Sequence, residues 1–228
     1  MRILAAEFSS DQRSVAVLDG ERILAERTLS TGRNTEAIQL IESALDHAET
    51  ARHDIECIAI GVGPGSYTGI RTAIALTQGW QLATGVKVQA IDSLEALAFG
   101  QQAAGERGAV TFAVDAARGE FYIAIFELRA EGIECLQSTH LVKRNELEQL
   151  LSTKKIIVGP NLEKNFPAIR NGSPAAKDVV ILASRRSDFV EASELEPVYL
   201  RKLDFVKAPP LRDIPPSPPL KHHSGKRI

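Results

Sequence analysis

The chain has only two cysteines among its 228 residues, Cys57 and Cys135. They are far apart in sequence, each within a strand-like stretch, and this suits reduced thiols in a cytoplasmic protein better than a disulfide framework. No segment approaches the ~20 consecutive apolar residues that a bilayer-crossing helix needs. The opening residues, Met1-Arg2-Ile3-Leu4-Ala5-Ala6-Glu7, reach an acid before the apolar core of a signal peptide forms, so a cytoplasmic location is expected. Neither sign of charge dominates. Lys and Arg total 27 against 29 for Asp and Glu, a net charge of -2, which gives no global field for gripping phosphate backbones. Any nucleic acid is then expected to be held mainly by another subunit.

The chain does have ample apolar material, 44% of residues, enough for one large domain or two small ones. Residues 2–8 alternate into a strand, 14–18 form a second, and Asp19-Gly20 turns the chain into a third over 22–29. Asn34 or Thr35 then caps a helix over about 35–50 with an apolar stripe of Ile38, Ile41, Ala44, Leu45 and Ala48. A strand at 55–60, a helix at 69–84 and a strand at 86–91 follow, and Asp92-Ser93-Leu94-Glu95 opens a third helix as an acid-capped box.

The organising stretch is Gly61-Val62-Gly63-Pro64-Gly65-Ser66-Tyr67-Thr68-Gly69-Ile70-Arg71, an elbow between a buried strand and a helix. Alternate glycines permit positive φ or close backbone approach, Pro64 fixes a turn dihedral, and Thr68 is the expected N-cap. A Gly-rich elbow before a helix points unpaired amides at an anion, so Gly63, Gly65, Ser66, Thr68, Gly69 and Arg71 are weak anion-site candidates. A tight structural turn is the competing reading. The loop has no Lys-Ser/Thr of a Walker A motif, and Thr68 stands where a dinucleotide fingerprint has glycine. Arg71 in the first turn opposes the helix dipole and should be compensated by an acid or an anion.

Residues 2–104 thus read as β-β-β-α-β-α-β-α, and the order partly recurs with strands at 109–115, 120–129 and 133–141, a helix at 145–151 and a strand at 155–158. This pseudo-repeat predicts an α/β fold of the actin-like (ribonuclease H-like) type, two lobes from a duplicated βββαβα unit. The expected lobes are 1–104 and 105–207, the second with its helices broken by Pro160, Pro167 and Pro174. Six of the eleven prolines fall between Pro209 and Pro219, so 208–228 reads as a basic Pro-rich tail, extended or disordered, whose adjacent His222 and His223 lack companion ligands.

The stretch Gly63-Pro64-Gly65-Ser66-Tyr67-Thr68-Gly69-Ile70-Arg71 resembles the signature of the bacterial TsaB (YeaZ) family. So do 3–7, Ser93-Leu94-Glu95-Ala96-Leu97-Ala98, 115–122 and Glu196-Pro197-Val198-Tyr199-Leu200-Arg201, in family order, so the resemblance spans residues 2 to about 201. It implies an actin-like ATPase fold and a non-catalytic role beside TsaD, in the complex that makes N6-threonylcarbamoyladenosine next to the anticodon of tRNA. TsaE joins transiently and tRNA is met only through the complex; a large apolar interface left without its partner would favour homodimers. No cofactor or metal is required, and ATP or ADP binding is at most weak. Glu7-Phe8-Ser9 replaces the usual Asp-Thr-Ser, Asn34 precedes Thr35 where the family often has His, and Asp115-Ala116-Ala117-Arg118-Gly119-Glu120 displaces an Arg. These departures weaken nucleotide binding and leave the scaffold intact.

The residues agree that chemistry is sparse. A metal pair needs two His one helical turn apart, and the first helix offers only His47, with His53 beyond it in a loop. No nucleophile stands beside a base, so no catalytic residue is assigned. The two helices flanking the elbow are apolar on more than one face, and Ala75, Gly79 and Ala83 permit close helix approach. Ile38, Ile41, Leu45, Ile70, Ala73, Ile74 and Thr77 are the partner-interface candidates, with burial in the chain's own core as the alternative. The competing functional reading is an actin-like kinase or ATPase using Glu7, Asp115 and 63–69 around a nucleotide; a peptidase is a third.

Overall fold

The computed structural model describes residues 1–30, 36–153 and 155–198. The expected caps Asn34 and Thr35, the closing Tyr199-Leu200-Arg201 and the Pro-rich tail lie outside them. Strands β1 (Arg2–Glu7), β2 (Gln12–Asp19) and β3 (Arg22–Ser30) form an antiparallel meander, with β2 and β3 joined through Gly20 at φ +61. Helix α1 (Ala37–His47) leads to β4 (Cys57–Gly61), which lies parallel to β1. Helix α2 (Tyr67–Thr84) ends on Gly85, whose left-handed backbone lets its amide reach the Gln81 carbonyl at 2.7 Å. Strand β5 (Lys87–Ile91) then pairs parallel to β4, and helix α3 (Ser93–Ala103) follows. Asp92 caps α3 as its sequence predicts, accepting from the amides of Leu94 and Glu95 at 2.7 and 3.1 Å.

The second unit repeats the first. It runs β6 (Gly108–Asp115), β7 (Glu120–Leu128), β8 (Ile133–Lys143), α4 (Arg144–Ser152), β9 (Ile156–Gly159), the short β10 (Arg170–Asn171) and α5 (Ala176–Ser184). The first sheet has the order β3-β2-β1-β4-β5; the second, written from its far edge, is β8-β7-β6-β9-β10, the same topology with the same parallel and antiparallel pairings. Helix α5 is not among the elements expected from the sequence, in which Pro160, Pro167 and Pro174 break up this region. All three precede Ala176, and the run Ala176-Lys177-Asp178-Val179-Val180-Ile181-Leu182-Ala183 is free to coil.

Packing explains why both units need each other. On one face of the first sheet, Leu4, Ala6, Val15, Val17, Ile58 and Ile60 pack under α1 and α2. Its other face, with Ile3, Ala5, Ala16, Leu18, Cys57 and Ala59, is covered by α5 from the second unit, together with Ala96 and Phe99 of α3. The second sheet reciprocates, packing Val110, Phe112, Ala124 and Phe126 on Leu94, Leu97 and Ala98 of α3, while α4 and the 162–169 turn cover its far face. Each unit's last helix thus buries apolar area of the other's sheet, and α3 and α5 meet between them. The chain then returns round the β5 edge: the Val190 amide donates to Val88, Gln78 and Gln81 hold Ala192, and the Val198 amide donates to Val62.

Candidate functional site

Several of the elbow's amides are spent within the chain. Ser66, not Thr68, is the N-cap of α2, its Oγ accepting from the Gly69 amide at 3.2 Å; Thr68 lies one residue inside the helix and its carbonyl accepts from Thr72 Oγ1. The Ser66 amide donates to the Ser9 carbonyl at 2.6 Å, the Gly63 amide to Ser93 Oγ at 3.1 Å, and the Ser93 amide to the Gly63 carbonyl at 2.8 Å. A β-carbon at Gly65 or Gly69 would overlap the carbonyls of Ser9 and Phe8, so glycine is needed here for close approach to the β1–β2 loop. Among the anion candidates, Gly63, Ser66 and Gly69 therefore direct their amides inward, as a structural turn does. Among the described residues no acid pairs with Arg71; its guanidinium lies over the Tyr67 ring, 4.2 Å from the centroid.

Of the two acids of the nucleotide reading, Glu7 faces inward and Asp115 is exposed. Glu7 is fully buried, with Oε1 accepting from the Ser9 amide at 2.7 Å and Oε2 from Ser93 Oγ at 2.9 Å. Burial raises its carboxyl above the usual range, against the pull of these hydrogen bonds. Gly61 passes so close that a β-carbon there would overlap the carboxylate. Asp115, at the equivalent end of β6, accepts from the Ala117 amide at 2.7 Å, so the duplicated units carry the same acid-to-i+2 turn. Ala117, Arg118 and Gly119 all have positive φ at that hairpin tip.

Of the interface candidates selected by sequence, only Ile38 and, at its buried edge, Ile41 line the outward groove of α1 and α2. Ile41, Leu45, Ile70, Ala73, Ile74 and Thr77 are buried, five of them in this chain's own core beneath the helices, because those are the positions that turn toward the sheet. The stripe on α1 is Ala37, Leu40, Ile41, Ala44 and Leu45; Ile38 turns away from it and is 55% exposed. On the opposite side of α2, Ala75, Gly79 and Ala83 floor a groove of about 530 Å³, walled by Ile38, Leu76 and Trp80 and rimmed by Glu42, Arg52 and His53. Glu42 and Arg52 pair across the rim. Beside the groove on α2, Leu82 is 91% exposed. A floor of small residues between exposed Ile38 and half-buried Leu76 and Trp80 has the shape to accept a helix at close range.

No cluster of three His, Cys, Asp or Glu able to hold a metal occurs among the described residues. His47 and His53 lie at the surface. Both cysteines are free; burial pushes the Cys57 thiol up to about 12, while Cys135 on β8 is exposed. No helix among the described residues is long and apolar enough to cross a membrane.

Comparison with known proteins fits this body. A family model described as TsaD, tRNA N6-adenosine threonylcarbamoyltransferase, matches residues 29–188. The tRNA threonylcarbamoyladenosine biosynthesis protein TsaB of Escherichia coli strain K12 is 31% identical over 219 residues, covering 88% of this chain and 95% of that protein. The solved structure of YeaZ from Pseudomonas aeruginosa superposes with a TM-score of 0.75 at 26% identity, covering 87% of this chain and 99% of that one. A second Pseudomonas aeruginosa structure, described as an uncharacterized protein with similarity to peptidase YeaZ, gives 0.76 at 26% identity, with 88% and 99% covered. With its duplicated actin-like fold and its glycine elbow packed against the first loop, this chain belongs to the TsaB family of tRNA threonylcarbamoyladenosine biosynthesis proteins.

Proposed function

We propose that this chain is a docking subunit that contributes no reacting group: it binds TsaD through the outward face of α1 and α2, in the complex that forms N6-threonylcarbamoyladenosine on tRNA. The observation that carries this reading is the α2 face itself, where Ala75, Gly79 and Ala83 line a groove with Ile38, Leu76 and Trp80, and Leu82 of the same helix is exposed. A helix pair from an actin-like sister subunit fits such a surface, giving a four-helix contact of roughly 1,200–2,000 Å² in total. The same face, left uncovered, pairs two copies of the chain when TsaD is absent. TsaE joins the assembly transiently, and tRNA contacts it through the complex. Glu7, Asp115 and the elbow serve the scaffold, so no nucleotide is required for docking. By binding one arrangement of TsaD more tightly than others, the chain raises its activity by that difference in affinity and no more.

The test is co-purification with TsaD. Ile74→Asp would be a poor probe, since Ile74 is buried beneath the helix. Ala75→Glu and Ala83→Glu change only exposed positions and should leave the fold intact. Loss of TsaD recovery with either folded variant supports docking on this face, and full recovery with both refutes it.

A further inference from the structure

Helices α3 and α5 are the two elements exchanged between the units, and where they meet stands one carboxylate. Asp178, in the first turn of α5, is 5% exposed and lies against the backbone of α3: a β-carbon at Gly100 would be 2.5 Å from its Oδ2. Among the described residues no group donates a hydrogen bond to it. With no protein donor to repay lost hydration, burial disfavours the ionised form of this carboxyl.

We propose that Asp178 makes the α3–α5 crossing a proton-sensitive joint between the two units: with the carboxyl neutral the helices close on each other, and its ionisation loosens α5 from the first sheet. The charged surroundings fit. Lys177, beside it on α5, favours the ionised form and Glu26 of β3 opposes it. From α3, Glu95 is occupied by Arg186, and Arg185 lies over the Phe99 ring at 5.0 Å. On the first sheet, the Cys57 thiol stays uncharged at neutral pH. Burial, the largest influence, pushes the Asp178 carboxyl up from 3.8 to about 7. The sign follows: a folded-state value above the unfolded one means that α5 is held fully below about pH 4. That hold is lost progressively toward pH 7 and does not change further above it.

Native-state hydrogen exchange on the full chain tests this. After correction for intrinsic exchange, protection of the amides in 176–184 should fall by up to about tenfold per pH unit between pH 5 and 7 in the wild type. Asp178→Asn should abolish that fall and be better protected at pH 8. Glu26→Gln, which leaves Asp178 in place, should move the midpoint to lower pH. Equal pH dependence in wild type and Asp178→Asn, or an equal fall in the amides of β6 and β9, would overturn the joint. Should Asp178→Asn not fold, an unmoved midpoint in Glu26→Gln overturns it instead.

Discussion

Two glycines ten residues apart on α2 should respond oppositely to the same substitution. At Gly69 the added methyl group would collide with the Phe8 carbonyl, which is backbone and cannot rotate away. The first turn of α2 would have to retreat, breaking the 2.6 Å bond from the Ser66 amide to Ser9 and lifting the fully buried Ile70 from the core. An amide left without its partner costs about 1–3 kcal/mol and an overpacked contact about 1–3 kcal/mol, so Gly69→Ala should destabilise by about 3 kcal/mol. Gly79 has open space where its β-carbon would stand, and in a helix interior Gly79→Ala should stabilise by about 0.5–1 kcal/mol. Urea unfolding followed by circular dichroism, at low protein concentration so that association does not contribute, should separate the two midpoints by roughly 1 M or more. A Gly69→Ala protein within 1 kcal/mol of wild type would refute the claim that the elbow is held by close backbone approach.

Ser93→Ala removes the hydroxyl that joins Glu7 to the Gly63 amide and should cost about 1–3 kcal/mol in the same assay. Glu7→Gln should fold, and should lose the part of the wild type's stability decline that sets in as pH rises above the ordinary carboxylate value of 4.5, because burial raises the native carboxyl. A thiol reagent at pH 8 should modify Cys135 in the native protein and Cys57 only after denaturation, since Cys57 is fully buried with its thiol pushed to about 12.

Much of the fold was legible because its signals are local. The meander through Gly20, the Asp92 box and the glycine elbow each announce a backbone requirement in a few residues, and the recurrence of strand order gave the duplication. Helix α5 was not legible in the same way, since nearby prolines obscured it and its partner surface lies in the other unit. The elbow's cap moved from Thr68 to Ser66 because Ser9, distant in sequence, takes the Ser66 amide and draws the helix start forward. The face proposed for docking was half legible. Periodicity on α2 picks out Ile70, Ala73, Ile74 and Thr77 as apolar, but such a stripe marks burial and does not say whether sheet or partner covers it. The small residues Ala75, Gly79 and Ala83 mark the opposite, outward side, where Ile38 lines the same groove and Leu82 is exposed.

The most direct measurement is threonylcarbamoyl transfer to tRNA by TsaD, supplied with its activated donor and titrated with this chain. The account predicts that wild type and Asp115→Ala raise the rate equally, and that Ala75→Glu shifts the half-maximal concentration upward by tenfold or more. TsaD working as fast alone, Ala75→Glu acting like wild type, or Asp115→Ala abolishing the stimulation would contradict it.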